Sequence, residues 1–266
     1  TQNWVKGERA FADLLKFSDL AKDQDRAAYA VSCMVEMFVQ TKRIDDVFPL
    51  LPRLSGDTPA RFDLRLNVNL MQGAEILKEQ ERHVEASLLY ALTMTTEEIV
   101  SFYTSREASI ASQIERVETF ITNQGRRIPP RRLSALKETI NQLAMKVTSA
   151  RSHLKLAQST PSFTTILRWR KSDNFQACKR EWESFWAFYW LYQDFPEHEM
   201  VENFLYAAFA SANTVKFRDK SIELGEAYLK NKKLNNFRAD VTFIMSNAYR
   251  QEAQNQLKIV QELQSS

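Results

Sequence analysis

The run RRLSALKETINQLAMKVTSARSHLKLA, residues 131–157, carries the pattern that decides the fold. Leu133, Leu136, Ile140, Leu143, Val147, Ala150, Leu154 and Ala157 recur at steps of 3, 4, 3, 4, 3, 4 and 3, the heptad seam along which two helices wind knobs into holes. Upstream, Val100, Tyr103, Ile110, Ile114, Val117 and Ile121 keep the same register, broken once at Glu107. Between the two runs, Gly125 suits a left-handed helix end and Pro129-Pro130 forbids continuation. The pattern predicts an antiparallel coiled-coil hairpin with arms of about 22 residues, roughly 33 Å at 1.5 Å per residue. The same spacing serves helices inside a compact bundle, so it leaves open whether the hairpin projects or packs.

Outward from the seam, helix breakers are sparse. No proline occurs from Ala60 to Ile128, only Pro161 lies between Arg131 and Phe195, and none follows Pro196. With 5 Gly and 7 Pro in 266 residues, the chain lacks the turn and phosphate-loop glycines that an all-β sandwich or a dinucleotide-binding enzyme needs. Two short helices are expected to open the chain, on the stripes Phe11, Leu14, Leu15 and Ala27, Ala28, Val31, Met34, Val35, Phe38. Asp57 or Thr58 is the expected cap of the next helix, with Pro59 in its first turn. Phe62, Leu64, Leu66, Val68 and Leu70 alternate with polar residues as a strand would. The stripe Phe62, Leu66, Leu70, Gly73, Ala74, Leu77 and the lack of a pairing strand favour helix instead.

Apolar residues make up 44% and charged residues 26%, a globular composition, and no uncharged apolar run reaches the ~18 residues of a membrane span. The opening Thr1-Gln2-Asn3-Trp4 lacks an initiator Met, as in a trimmed fragment. Cys33 and Cys178 form no CxxC and are expected to be buried thiols. Further on, Trp182, Phe185, Trp186, Phe188, Tyr189, Trp190, Tyr192 and Phe195 put eight aromatics into fourteen residues. Spread over two helical faces, they predict a helix covered on more than one side, the alternative being an aromatic recognition surface near Trp186 and Trp190.

In residues 59–96, Leu70, Gly73, Ala74 and Leu77 form a large, small, small, large set, and Ala86 and Tyr90 a small residue followed four later by an aromatic. This stretch resembles a tetratricopeptide repeat, although Thr93 stands where that family usually has alanine and no proline closes the unit. Asp194-Phe195-Pro196 is similar to the aromatic-Pro linker of tetratricopeptide proteins of bacterial envelopes, with Leu205, Phe209, Ser221 and Tyr228 at matching positions. Residues 239–265 echo 201–230 at an offset of 37 to 39, pairing Phe204 with Phe243. The resemblance covers about two thirds of the chain and omits the hairpin. It implies an all-α protein, an α-solenoid of tetratricopeptide-like (TPR-like) antiparallel helix pairs, with the hairpin inserted. Residues 1–104 and 159–266 would be the helix-pair regions and 105–158 the hairpin. It also implies a surface that binds other proteins, without catalysis or cofactor, in the bacterial cell envelope or periplasm; composition leaves the cytoplasm equally open.

Charge is segregated. Residues 126–180 hold 13 Lys and Arg against Glu138 and Asp173, a net +11, which leaves −8 for the rest of a +3 chain. Arg126, Arg127, Arg131 and Arg132 crowd the hairpin turn, suited to a carboxylate or phosphate patch. Arg168-Trp169-Arg170-Lys171 interleaves an aromatic with cations, as base-stacking sites do and as helix ends with a buried Trp also do. No GxSxG, Walker, HExxH or GxGxxG motif is present. The histidines, His83, His153 and His198, are scattered, and Glu197-His198-Glu199 would diverge on a helix. The expected function is a non-enzymatic scaffold for protein assembly with acidic protein partners and no metal. It would bind through Arg126, Arg127, Arg131, Arg132, Arg168, Trp169, Arg170, Lys171, Trp186 and Trp190. The alternative is nucleic-acid or other polyanion binding through 126–180.

Overall fold

The computed structural model describes residues 2–265, and the side chains of 4–125 and 127–264. The chain is all-α, with eleven α-helices and no strand among the described residues. It forms two units, the first ending at Thr164 and the second beginning at Thr165. The first holds α1 (Gln2–Ala21), α2 (Gln24–Gln40), a 3-10 segment (Ile44–Leu54), α3 (Leu64–Glu79), α4 (His83–Leu92), α5 (Thr96–Gln124) and α6 (Pro130–Ser159). The second holds α7 (Thr164–Ala177), α8 (Glu181–Asp194), α9 (Val201–Thr214), α10 (Arg218–Lys230) and α11 (Arg238–Ser265).

Side chains before the helices set several of the starts. Asp23 accepts the Arg26 N–H at 3.1 Å and Asp63 the Leu66 N–H at 2.8 Å. Thr95 and Glu98 close a reciprocal capping box at the head of α5. Asp63 thus replaces the expected cap at Asp57 or Thr58. Pro59 falls in the irregular turn before α3, and Pro49 and Pro52 lie inside the 3-10 segment. The opening helices are not short, at 20 and 17 residues. Helix, not strand, is the outcome at 64–70, with Phe62 in the turn before it. Leu66 and Leu70 are buried, and so is Asn67, whose amide donates to the Arg61 and Asp63 carbonyls and whose Oδ1 accepts the Met94 N–H at 2.6 Å. The apparent alternation arises because a buried polar residue serves the adjoining turns.

Five turns close on a non-glycine residue in the left-handed region: Lys22, Lys42, Glu81, Lys179 and Lys216, with φ between 54° and 60°. In each, the next N–H reaches back to the carbonyl five residues earlier, as Arg82 does to Leu77 at 2.9 Å and Arg180 to Phe175 at 2.9 Å. At three of them that next residue is arginine, paired with a carboxylate three positions on: Arg43 with Asp46, Arg82 with Glu85, Arg180 with Glu183.

The core of the first unit gathers Val35, Phe38, Leu66, Leu70, Leu77, Leu89, Tyr90 and Ile99, that of the second Phe185, Phe188, Phe204, Phe209, Leu224 and Tyr228. Each such side chain contributes roughly 1.5–3 kcal/mol by leaving water. Two expectations fail in the second unit. Residues 239–265 do not repeat the 201–230 helix pair: they lie within one continuous helix that has no Gly or Pro to break it, and Phe243 is 70% exposed where Phe204 is fully buried. The aromatic helix α8 buries Phe185 and Phe188 but leaves Trp182, Trp186 and Trp190 uncovered.

Candidate functional site

The hairpin arms α5 and α6 run 29 and 30 residues, longer than the apolar repeat alone indicates, about 43–45 Å at 1.5 Å per residue. Their seam is buried at the base, at Tyr103, Ile110, Ala150 and Ala157. Between Ile110 and Ala150 the only buried residue among those described is Ile128, and seam positions such as Ile114, Val117, Leu136 and Ile140 are half-buried. That is the state of a two-stranded rod in which each arm covers only the other. The base is fixed by Arg106 on Asp25 at 2.9 Å, by Arg151 on Glu107 at 2.7 Å, and by the Thr96 N–H on Thr164 Oγ1 at 3.1 Å.

At the far end the turn is built around Ile128, whose burial draws the chain inward and leaves the polar neighbours outside. Gly125 supplies the φ of +48° that ends α5, and Pro129 precedes α6 without a side-chain cap. Arg127, Arg131 and Arg132 are exposed, and none of them pairs with a carboxylate among the described residues. Arg132 lies over the Phe120 ring, 5.5 Å from its centroid. The side chain of Arg126 lies outside the described residues. Elsewhere Arg43, Arg53, Arg82, Arg168, Arg180 and Arg218 all hold ion pairs. Cations in the first turn of α6 oppose its dipole, at a cost of about 0.3–1 kcal/mol each.

The second unit holds the remaining sequence-predicted residues, and they divide. Trp169 turns inward against Phe188 and Phe204, with ring centroids 5.1 and 5.6 Å away, which removes its face from any stacking role. Arg168 is tied to Asp194 at 2.7 Å and lies over Phe195, while Arg170 and Lys171 are half-buried. Trp186 and Trp190 do reach solvent, 40% and 51% exposed. Trp182, four residues earlier on the same face, joins them at 50%. The i, i+4 spacing puts this third member on the face of the other two, although the sequence alone singled out only Trp186 and Trp190. Phe217 supports the row, 5.7 Å from Trp182 and 6.4 Å from Trp186.

No group of three metal-capable side chains occurs among the described residues. His153 stacks on Tyr103, and His198 accepts the Met200 N–H at 3.1 Å. Cys33 is buried and Cys178, expected to be buried as well, is half-buried; neither is in a disulfide. Neither the protein-family models nor the curated proteins contain a match to this sequence.

Proposed function

We propose that this chain is a non-enzymatic scaffold that docks acidic protein partners, using the arginine turn of the hairpin in one unit and the tryptophan row of α8 in the other. The observation that carries this reading is the crowding of unpaired cations at one turn: Arg127, Arg131 and Arg132 stand exposed without a carboxylate among the described residues, whereas Arg43, Arg53, Arg82, Arg106 and Arg168 are paired with one. Charges held at the end of a rod against the preference of the helix dipole are available to an anionic surface. Three half-exposed tryptophans supply the rigid apolar anchors on which binding energy concentrates. A tetratricopeptide-like character of the helix pairs is part of the proposal. Its support is that Leu70, Gly73, Ala74, Leu77, Ala86 and Tyr90 are buried in α3–α4, as are Leu205, Phe209, Ser221 and Tyr228 in α9–α10. No helix among the described residues is long and apolar enough to cross a membrane.

The alternative, a nucleic acid or other polyanion held along 126–180, is weakened by the inward Trp169 and the tied Arg168. Fluorescence anisotropy with poly-L-glutamate and with a generic DNA duplex separates the two. Serine at positions 126, 127, 131 and 132 together is expected to abolish poly-L-glutamate binding while leaving the melting temperature unchanged or slightly higher. Tight duplex binding that falls steeply with salt would favour the polyanion reading instead. Undiminished poly-L-glutamate binding by the serine variant would remove the hairpin turn from the proposal.

A further inference from the structure

At the base of the hairpin lies a cavity of about 300 Å3 that the docking reading does not use. Its walls come from α2, the turn before α3, α5 and α6. Ala28, Pro59 and Ala150, all buried, give it an apolar floor. Its fixed charges cancel, Asp25 and Asp63 against Arg26 and Arg106.

Three of its polar groups have unused capacity. Arg106 gives one N–H to Asp25, and its other N–H groups make no hydrogen bond among the described residues. Asp63 commits Oδ1 to the Ser32 hydroxyl and the Leu66 N–H, both at 2.8 Å. Its Oδ2 accepts no hydrogen bond among the described residues, and His153 Nδ1 lies 4.0 Å away, beyond hydrogen-bond reach. Tyr103 is 3% exposed and lines the cavity, yet its hydroxyl bonds to no described residue. Burial, reinforced by the charge of Asp63, pushes that phenol above its ordinary range, so it is a donor at neutral pH. The His153 ring, stacked at 4.9 Å and 7° on that of Tyr103, holds the donor in place. The hydroxyl thus has a proton to give to an acceptor bound in the cavity.

We propose that this cavity binds a small zwitterion, an α-amino acid with a short uncharged side chain. The carboxylate takes the Tyr103 hydroxyl and the open edge of Arg106, the ammonium faces Asp63 Oδ2 and Asp25, and the side chain rests on the apolar floor. A lining with both signs and no net charge gives a lone anion or a lone amine only half of these contacts. The volume lies at the lower end for ligand pockets, as a small ligand requires. Because the walls include α2 and both hairpin arms, a bound ligand ties the hairpin base to the body of its unit.

Isothermal titration calorimetry of the full chain with glycine, L-alanine and L-serine tests the site, with acetate and ethylammonium as half-ligands. Saturable binding of at least one amino acid is expected, with either half-ligand ~10-fold weaker or worse. Tyr103→Phe removes only the hydroxyl and is expected to weaken binding ~10-fold with an unchanged circular-dichroism spectrum. Should that variant not fold, Arg106→Gln is expected to show the same loss. The proposal is overturned by the absence of saturation at ~10 mM, where even a millimolar site fills. It is equally overturned by a folded variant that binds like the parent, or by a half-ligand that binds as tightly as the amino acid. None of these outcomes depends on the arginine turn, so this site stands or falls separately from the docking role.

Discussion

Lys179 has a φ of 57°, a conformation that costs a residue with a Cβ about 1 kcal/mol and glycine almost nothing. The turn keeps it because the Lys179 and Arg180 N–H groups reach the Gln176 and Phe175 carbonyls at 2.9 Å each. Lys179→Gly is therefore expected to stabilise the second unit by ~0.5–1 kcal/mol, part of the gain being offset by the freer unfolded chain. A raised urea midpoint at unchanged m-value checks it; a lowered midpoint would mean that the lysine side chain stabilises the turn by other contacts. These turns also explain what was hard to read. Glycine and proline do not mark them; the punctuation is a Lys or Glu followed by Arg and, three residues later, Asp or Glu, at Lys42-Arg43, Glu81-Arg82 and Lys179-Arg180. Glycine serves conformation at Gly125 and packing at Gly225, where a Cβ would meet Met245 Cγ at 2.9 Å and Phe209 Cε2 at 3.0 Å.

Among the elements, the hairpin depends on how α5 starts. Glu97 accepts from the Thr164 hydroxyl and, at 3.1 Å, from that of Ser162, so it clasps the chain that returns from α6. Burial pushes its carboxyl upward, but these hydroxyls and its own backbone N–H outweigh that and hold it below the ordinary glutamate range. A carboxyl with a lowered folded-state value contributes stability that is complete above its unfolded value and is lost as pH falls through the folded one. Glu97→Gln is expected to lower stability at pH 7 and to flatten its decline between about pH 5 and pH 3, measured by urea unfolding across that range. An unchanged acid slope would mean that the clasp forms equally well with a protonated carboxyl. The seam itself was legible as far as its spacing. Its depth of burial was not: Ala150 and Ala157 are buried near the base, where α6 also approaches α3, while the outer seam is half-buried, and the period of α6 does not encode that neighbour.

At the scale of the whole molecule, charge follows segment. Residues 105–158 carry ten basic against four acidic side chains, residues 1–104 twelve against sixteen, and residues 159–266 fourteen against thirteen. This distribution would draw the acidic partner proposed above to the hairpin in preference to the helices that carry it. The second unit has its own apolar core, so a fragment of residues 160–266 is expected to be helical and to unfold in a single cooperative urea transition. A non-cooperative melt or a disordered spectrum would show that this core is insufficient alone. Read by itself, the chain determined the all-α class, the paired rods and the cationic turn between them. Helical periodicity and proline stops act over a few residues, and a heptad needs only its neighbour to become a seam. Only the tertiary structure decided which faces are covered. Trp169 went inward while Trp182, Trp186 and Trp190 stayed outside, Phe243 failed to repeat Phe204, and Tyr103 came to line a cavity. Coverage depends on segments far away in sequence, and two helices with the same stripe differ once only one of them acquires a neighbour to bury it.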